Sequence, residues 1–253
     1  MNDIILLKQG ETVLKGLNRR YFEQRLVSNI RKRLKPMGAF RVYCVQSTVY
    51  VEPEDGSADM DAAFEALSRT FGVVALSRAA ACEKDENAIA KLAIEYLRED
   101  MENAASFKVE TKRSDKSFHL TSIQLSQYVG GLLAEAYPET KVDVRHPELV
   151  VHLEVRDYAA YVHAAPAQGA GGLPVGSNGR AVTLLSGGID SPVSTWMITR
   201  RGVRCIPVHF FSFPYTSEAA KEKVVELARL LTPWCGQMCL EVVPCLLYTS
   251  RCV

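Results

Sequence analysis

The run Ser186-Gly187-Gly188-Ile189-Asp190-Ser191 combines residue types that can handle a phosphorylated ligand. It follows an apolar stretch and precedes a helical pattern, at the carboxyl end of a parallel-type strand, where such sheets bind ligands. Two glycines let the backbone turn tightly and approach a ligand. The free amides at the following helix start offer hydrogen bonds and a positive dipole to a phosphate. Ser186 and Ser191 add hydroxyl donors. A carboxylate is a poor direct neighbour for phosphate, so Asp190 implies a divalent cation, magnesium, bridging it to pyrophosphate oxygens. The chain has no G-x-x-x-x-G-K-[ST] run. Without the lysine of that motif, the loop suits holding pyrophosphate as a leaving group. The plain alternative is a Gly-rich strand-to-helix turn with Asp190 as its N-cap.

A second chemistry lies in the distribution of charge. The net charge is only +1, yet residues 8–41 hold ten Lys or Arg against Glu11 and Glu23. Arg19, Arg20, Arg31, Lys32 and Arg33 fall on one helix, suited to neutralising the phosphates of a nucleic acid. Lys108, Lys112, Arg113 and Lys116 surround Phe107 and Phe118, placing phosphate donors beside rings that are either stacking surfaces or core. An ordinary solvated helix face is the alternative for the first cluster.

These residues need elements to position them. Ile4 to Leu7 reads as a short strand, and a helix from an N-cap at Asn18 repeats Phe22, Leu26, Ile30 and Leu34 every fourth residue. Strands at Phe40–Cys44 and Thr48–Glu52, a helix carrying Ala63, Phe64 and Leu67, and a strand near Val73 complete a small α+β unit. A second α+β unit follows: a helix over about 85–102, a strand Phe107–Thr111, a helix over about 121–136, and strands Val150–Val155 and Ala159–His163. Five glycines and two prolines between Pro166 and Gly179 mark a linker or tight functional loop. Beyond it, Ala181–Leu185 reads as a strand buried on both faces, then a helix, a strand Cys205–Phe210, a helix Ser217–Leu231 and a third strand near Val243. That alternation predicts a doubly wound parallel α/β sheet.

At 253 residues and 47% hydrophobic composition, a sizeable core in two or three units is expected. Four apolar residues before Lys8 are too few for a signal or membrane segment, which predicts a cytoplasmic protein with no membrane association. Seven scattered cysteines without C-x-x-C spacing fit a reducing compartment. Cys235 and Cys239 could form a thiol pair only if their helix ran past Gly236. Cys205 reads as packing, and no catalytic cysteine is assigned.

The segment SGGIDSP resembles the pyrophosphatase loop of ATP-dependent adenylylating enzymes. With Gly171-Gly172-Leu173-Pro174-Val175-Gly176, Gly10-Glu11, Leu14-Lys15-Gly16-Leu17-Asn18-Arg19, and Lys112-Arg113-Ser114-Asp115-Lys116 with Phe118, the chain resembles the bacterial tRNA 4-thiouridine synthase family. The resemblance implies a ferredoxin-like domain (1–75), a THUMP domain binding the acceptor end of RNA (76–165), a Gly-rich linker (166–179) and part of a pyrophosphatase-loop domain (180–244). It implies ATP contacts at Leu184, Leu185, Ser186, Gly187, Gly188, Asp190 and Ser191, with His209 and Phe210 on the adenine side. Taken bare, His209 at a strand end reads as a structural residue. The implied activity is adenylylation of a tRNA uridine with ATP and magnesium, then exchange of its oxygen for sulfur. A cysteine desulfurase would supply sulfur, a homodimer would present tRNA, and a link to the thiamine thiazole and its sulfur carrier is open. Only three parallel strands are legible and CLLYTSRCV departs from the family pattern. The chain is therefore expected to lack a carboxy-terminal part, to be inactive alone, and to end in a foreign tail (245–253). Two rivals are an RNA-binding adaptor with an inert nucleotide fold and an adenylylating enzyme with a small-molecule substrate.

Overall fold

The computed structural model describes residues 2–11 and 16–245. Leu14 and Lys15 of the amino-terminal motif, and residues 246–253 of the expected tail, lie outside the described residues. β1 (Asn2–Gln9) leads into α1 (Arg19–Leu34), β2 (Phe40–Val45), β3 (Thr48–Pro53), α2 (Met60–Ser68) and β4 (Val73–Cys82). Then come α3 (Glu86–Tyr96), α4 (Arg98–Asn103), β5 (Ser106–Arg113), α5 (Ser122–Ala136), β6 (Lys141–Val142), β7 (Leu149–Val155), β8 (Ala160–His163) and β9 (Ala167–Gln168). The last part holds β10 (Arg180–Leu184), α6 (Asp190–Arg200), β11 (Arg204–Phe211), α7 (Glu218–Cys235) and β12 (Glu241–Pro244). One sheet runs β2-β3-β1-β4-β8-β7-β5-β6 with β9 on β4, and a second runs β10-β11-β12.

The described residues divide into two compact units: those up to Leu6, with Tyr50–Pro53 and Leu76–Ala167, form one, and those described within Leu7–Val49, with Glu54–Ala75 and Gln168–Cys245, form the other. The first unit's core joins Ile89, Ala93, Leu97 and Met101 to Phe107, Leu125, Leu133, Val151 and Val155. Its helices begin where side chains satisfy free amides. Asp85 accepts from Asn87 N and Ala88 N, and Thr121 forms a reciprocal capping box with Gln124. The helix expected over 85–102 is instead two. Leu97 leaves helical geometry (φ −97°, ψ 18°), and the turn lets Leu97 and Met101 both enter this core.

In the second unit, the α1 stripe is buried as its spacing predicts: Phe22, Leu26, Ile30 and Leu34 are at most 7% exposed. Asn18 occupies the N-cap position of α1, but its side chain makes no capping bond and its backbone is already helical (φ −85°, ψ −3°). The Gly-rich stretch contains β9 and is pinned by backbone bonds from Gly72 to Gly171, Gly169 to Val74, Leu173 to Arg200 and Asn178 to Gly202. It is a tight strap, because its glycines allow close backbone approach: a Cβ on Gly172 (φ +72°) would strike the Arg200 carbonyl.

β10 is not buried on both faces. Leu185, Cys205 and His209 are covered, while Val182 and Leu184 are each 63% exposed and Phe210 is 50% exposed. In the sequential parallel order β10-β11-β12, right-handed crossovers send α6 and α7 to the same face, leaving the other open among the described residues. α7 also outruns its expected end at Leu231, passing through Pro233 to Cys235. A proline in the final turn removes only one ladder bond.

Candidate nucleotide loop and basic faces

β10 delivers the backbone of the loop. Leu185 N donates to Val208 O at 2.8 Å, and Nδ1 of the buried His209 lies 3.1 Å from Leu185 O, so the ends of β10 and β11 are tied together. The loop then folds around Ser191. Its hydroxyl accepts from Ser186 N at 3.0 Å and lies 3.2 Å from both Ser186 O and Ser186 Oγ. Ser191 therefore closes the loop from inside, where the sequence suggested an outward-facing donor. Gly188 N lies 3.4 Å from Ser186 Oγ. Thr195 and Thr199, both fully buried on α6, bond back to the Ser191 and Thr195 carbonyls at 2.8 Å each. Thr199 also meets Cys205 Sγ at 3.2 Å, which makes Cys205 packing.

Asp190 is the first residue of α6 and is exposed; the N-cap is Ile189, with no side-chain cap. The alternative of Asp190 as a capping residue is thereby excluded. Its carboxylate has no hydrogen-bond or ion-pair partner among the described residues, and it stands in the first turn of the helix. Leu184 lies on the open sheet face, Leu185 is buried, and Phe210 is half-exposed at the end of β11. The structure thus brings Leu185, Ser186, Gly187, Gly188, Asp190, Ser191 and His209 to one place. Sequence reasoning missed Lys223 of α7, whose Cδ would lie 3.5 Å from a Cβ on Gly187. Its signal was its place one residue before the buried Val224, on a helix that returns to the strand ends.

The nine basic residues singled out from the sequence separate into two groups. Arg20 and Lys32 on α1, with Lys112 and Lys116 in and after β5, are exposed and have no partner among the described residues. The others are engaged. Arg19 pairs with Glu23 at 2.8 Å and reaches Ser47 Oγ at 2.5 Å, Arg31 donates to Val42 O at 2.5 Å, and Lys108 pairs with Glu110 at 2.6 Å. Arg113 donates to Phe118 O and Leu120 O at 2.7 and 2.6 Å. Arg33, partly buried, donates to the carbonyls of Ala66, Pro233 and Trp234, so its guanidinium clasps the end of α7. Phe107 and Phe118 belong to the core and offer no stacking face. A groove of about 650 Å³ runs along α1 and β2, lined by Arg20, Gln24, Arg31, Lys32 and Tyr43 among others. Cys235 is buried and Cys239 exposed, with α7 ending between them, so they form no thiol pair. Among the described residues no helix is long and apolar enough to cross a membrane.

Two α+β modules followed by a parallel α/β unit with a Gly-Gly loop at its strand ends define a chain of ferredoxin-like, THUMP and nucleotide-loop type. Family models agree: the ThiI ferredoxin-like domain matches residues 4–77, the THUMP domain 83–164, and Thiamine biosynthesis protein (ThiI) 176–249. The probable tRNA sulfurtransferase of Acetivibrio thermocellus is 42% identical over 246 residues, and that of Staphylococcus saprophyticus 39% over 242. Those alignments cover 96% of this chain and 62% and 59% of the relatives. The crystal structure of a 4-thiouridine synthetase–RNA complex with bound ATP superimposes with a TM-score of 0.85 at 33% identity, covering 96% of this chain and 62% of that one. PH1313 from Pyrococcus horikoshii superimposes at 0.84 with 25% identity, covering 95% and 78%. The chain is similar to tRNA sulfurtransferases along nearly all of its length and spans about three fifths of the length of those curated relatives.

Proposed function

We propose that these residues form the ATP-binding and RNA-binding parts of an enzyme that adenylylates a tRNA uridine and exchanges its oxygen for sulfur, giving 4-thiouridine. The observation that carries this reading is the loop Ser186–Ser191, closed at the carboxyl ends of parallel strands in a chain that resembles an ATP- and RNA-bound 4-thiouridine synthetase. On this reading residues 1–75 are the ferredoxin-like domain, 76–165 the THUMP domain, 166–179 the linker and 180–244 part of the ATP-binding domain.

A uracil carbonyl oxygen is a poor leaving group and needs activation. Its O4 attacks the α-phosphorus of ATP and pyrophosphate departs. A sulfide sulfur then bonds to C4 as the C4–O bond breaks and AMP leaves. Where the donor is a persulfide, its outer sulfur makes that bond, and a second thiol then attacks the donor cysteine's sulfur, forming a disulfide as the S–S bond to the base breaks. The amides of Gly187, Gly188 and the first turn of α6 bind phosphate oxygens, with no Cβ on either glycine to obstruct them. Leu184, Leu185 and Phe210 hold the base side, and His209 keeps the strand ends in register through Leu185. Asp190 has the unpartnered, exposed carboxylate that a magnesium ion requires. Bound there, the ion would neutralise charge developing on the pyrophosphate. Arg20, Lys32, Lys112 and Lys116 bind the tRNA backbone.

Sulfur comes from a cysteine desulfurase, the working unit is a homodimer, and these 253 residues alone bind tRNA without completing thiolation. The family matched by residues 176–249, Thiamine biosynthesis protein, supports a second role, sulfur supply through a carrier to the thiazole of thiamine. The test is titration of the chain with magnesium-ATP and with tRNA. Binding of both supports the reading; tRNA binding without ATP binding would favour an RNA-binding adaptor.

A further inference from the structure

We propose that Lys223 is a phosphate-binding residue of the loop, supplying from α7 the side-chain cation that the loop's own sequence lacks. The inference rests on the reading of Ser186–Ser191 as an ATP site.

Three observations place Lys223 there. A Cβ built on Gly187 would meet Lys223 Cδ at 3.5 Å, ordinary van der Waals contact, so the lysine stem lies alongside the first glycine of the loop. The placement is anchored from below. Val224, the next residue, is 1% exposed and shares a core cluster with Leu185, the residue from which the loop springs, and with Leu231 and Cys235 further along α7. The rotation of α7 against β10 is thereby set by packing, which determines where Lys223 points along the helix flank. Third, the ammonium is free. Lys221 is bonded to Glu218 at 2.5 Å and sits 4.9 Å from the Phe211 ring centroid, and Arg229 pairs with Glu226 at 3.4 Å. Lys223 is exposed and has no hydrogen-bond or ion-pair partner among the described residues.

The chemistry calls for such a group. A triphosphate brings several negative charges to a loop whose own side chains are two hydroxyls and one carboxylate. Backbone amides and a magnesium ion on Asp190 offset part of that charge. In Walker-type loops a lysine inside the motif reaches the terminal phosphates as a mobile point charge. Here the following α/β crossover brings a lysine to the glycine from outside. Because Gly187 carries no side chain, the flexible lysine stem has room to swing its ammonium toward a phosphate held on the loop amides. The competing role is structural: a lysine stem covering a glycine loop with its ammonium left in water.

Substitution by an uncharged side chain of similar length separates these roles. In the 253-residue chain, Lys223→Met keeps the stem and removes the charge, and Lys223→Arg keeps the charge. Magnesium-ATP and adenosine are the probes, titrated calorimetrically, with thermal unfolding as the check on folding. The expected result is ATP affinity lowered about tenfold to a hundredfold by Lys223→Met, from loss of a charge-assisted bond. Adenosine affinity should change less than about twofold, and Lys223→Arg should recover most of the ATP affinity. Equal ATP affinity for wild type and a folded Lys223→Met, while Asp190→Asn loses binding of magnesium-ATP, would overturn the role of Lys223 and leave the ATP site standing. Failure of the wild type to bind either probe would overturn the ATP reading, and this inference with it.

Discussion

Arg33 reaches from the last turn of α1 to the carbonyl oxygen of Trp234 at 3.3 Å, and donates also to Pro233 O and to Ala66 O. Those first two carbonyls lie in the final turn of α7, where helical backbone acceptors have no partner of their own and a cation is favoured by the dipole. Beside the clasp, Trp196 packs edge to face on both Phe71 and Trp234, with centroids 5.4 and 5.8 Å apart. Arg33→Ala leaves the Pro233 and Trp234 carbonyls short of a donor, while Ala66 O keeps the Thr70 hydroxyl at 3.1 Å, and is expected to destabilise the chain by about 2–3 kcal/mol. Arg33→Lys should restore less than half, because one ammonium cannot reproduce the fork. Chemical denaturation measures both. Wild-type stability in Arg33→Ala would show that the clasp does not hold this unit together.

RNA affinity should instead follow the exposed, unpartnered cations. Replacing Arg20, Lys32, Lys112 and Lys116 together by Ala should leave the melting temperature within a few degrees. Each phosphate that is no longer neutralised lowers the slope of log K against log salt by about 0.7 to 0.9. Removing all four cations should therefore flatten it by roughly 3, with magnesium-ATP binding unchanged. An unaltered salt slope for tRNA would show that these four side chains face solvent in the complex.

The contrast between Arg33 and Lys32 shows what the sequence makes legible. Periodicity places both on α1 and away from its buried stripe, and it locates the Gly-Gly loop between a strand and a helix, since these are local properties. Whether a guanidinium ends in solvent or on the carbonyl of a residue 201 positions away depends on packing that no local pattern carries. Lys223 escaped notice for the same reason: its meaning comes from Gly187, which meets it only after a crossover is folded. The open face of β10 was equally illegible, because an apolar run reads the same whether one sheet face or both are covered.

Asp190→Asn tests the loop chemistry at a position where folding should not intervene, because the carboxylate is exposed and neither caps α6 nor pairs with a described residue. In a protein spanning the full length of the relatives, this variant should melt as wild type does and lose at least about a hundredfold in tRNA-dependent AMP formation. The reason, on the proposed mechanism, is that the amide keeps the shape and removes the charge that would hold magnesium. Near-normal AMP release by Asp190→Asn would remove that residue from the mechanism.

His152 gives the first unit an acid-sensitive spot away from the loop. Its ring stacks on His163 with centroids 5.0 Å apart and planes 25° apart, and His163 is held by Ala164 O and lies 3.6 Å from Glu154. Burial, followed by the neighbouring His163 and, more weakly, Lys108, pushes the His152 pKa below its ordinary 6.5. Glu110, 3.8 Å away, and Glu154 oppose the shift without cancelling it. With the folded-state pKa depressed, the unfolded chain binds the proton more tightly than the folded one does. The contribution to stability is therefore complete above the unfolded pKa, near 6.5, and is lost as pH falls through that value and the folded one. The melting temperature of wild type should drop between about pH 7.5 and 5.5 by more than that of His152→Gln, which cannot titrate. Proton NMR of the His152 ring should show its midpoint below 6.5. Equal drops for the two proteins, or a midpoint above 6.5, would place the acid sensitivity of this unit elsewhere.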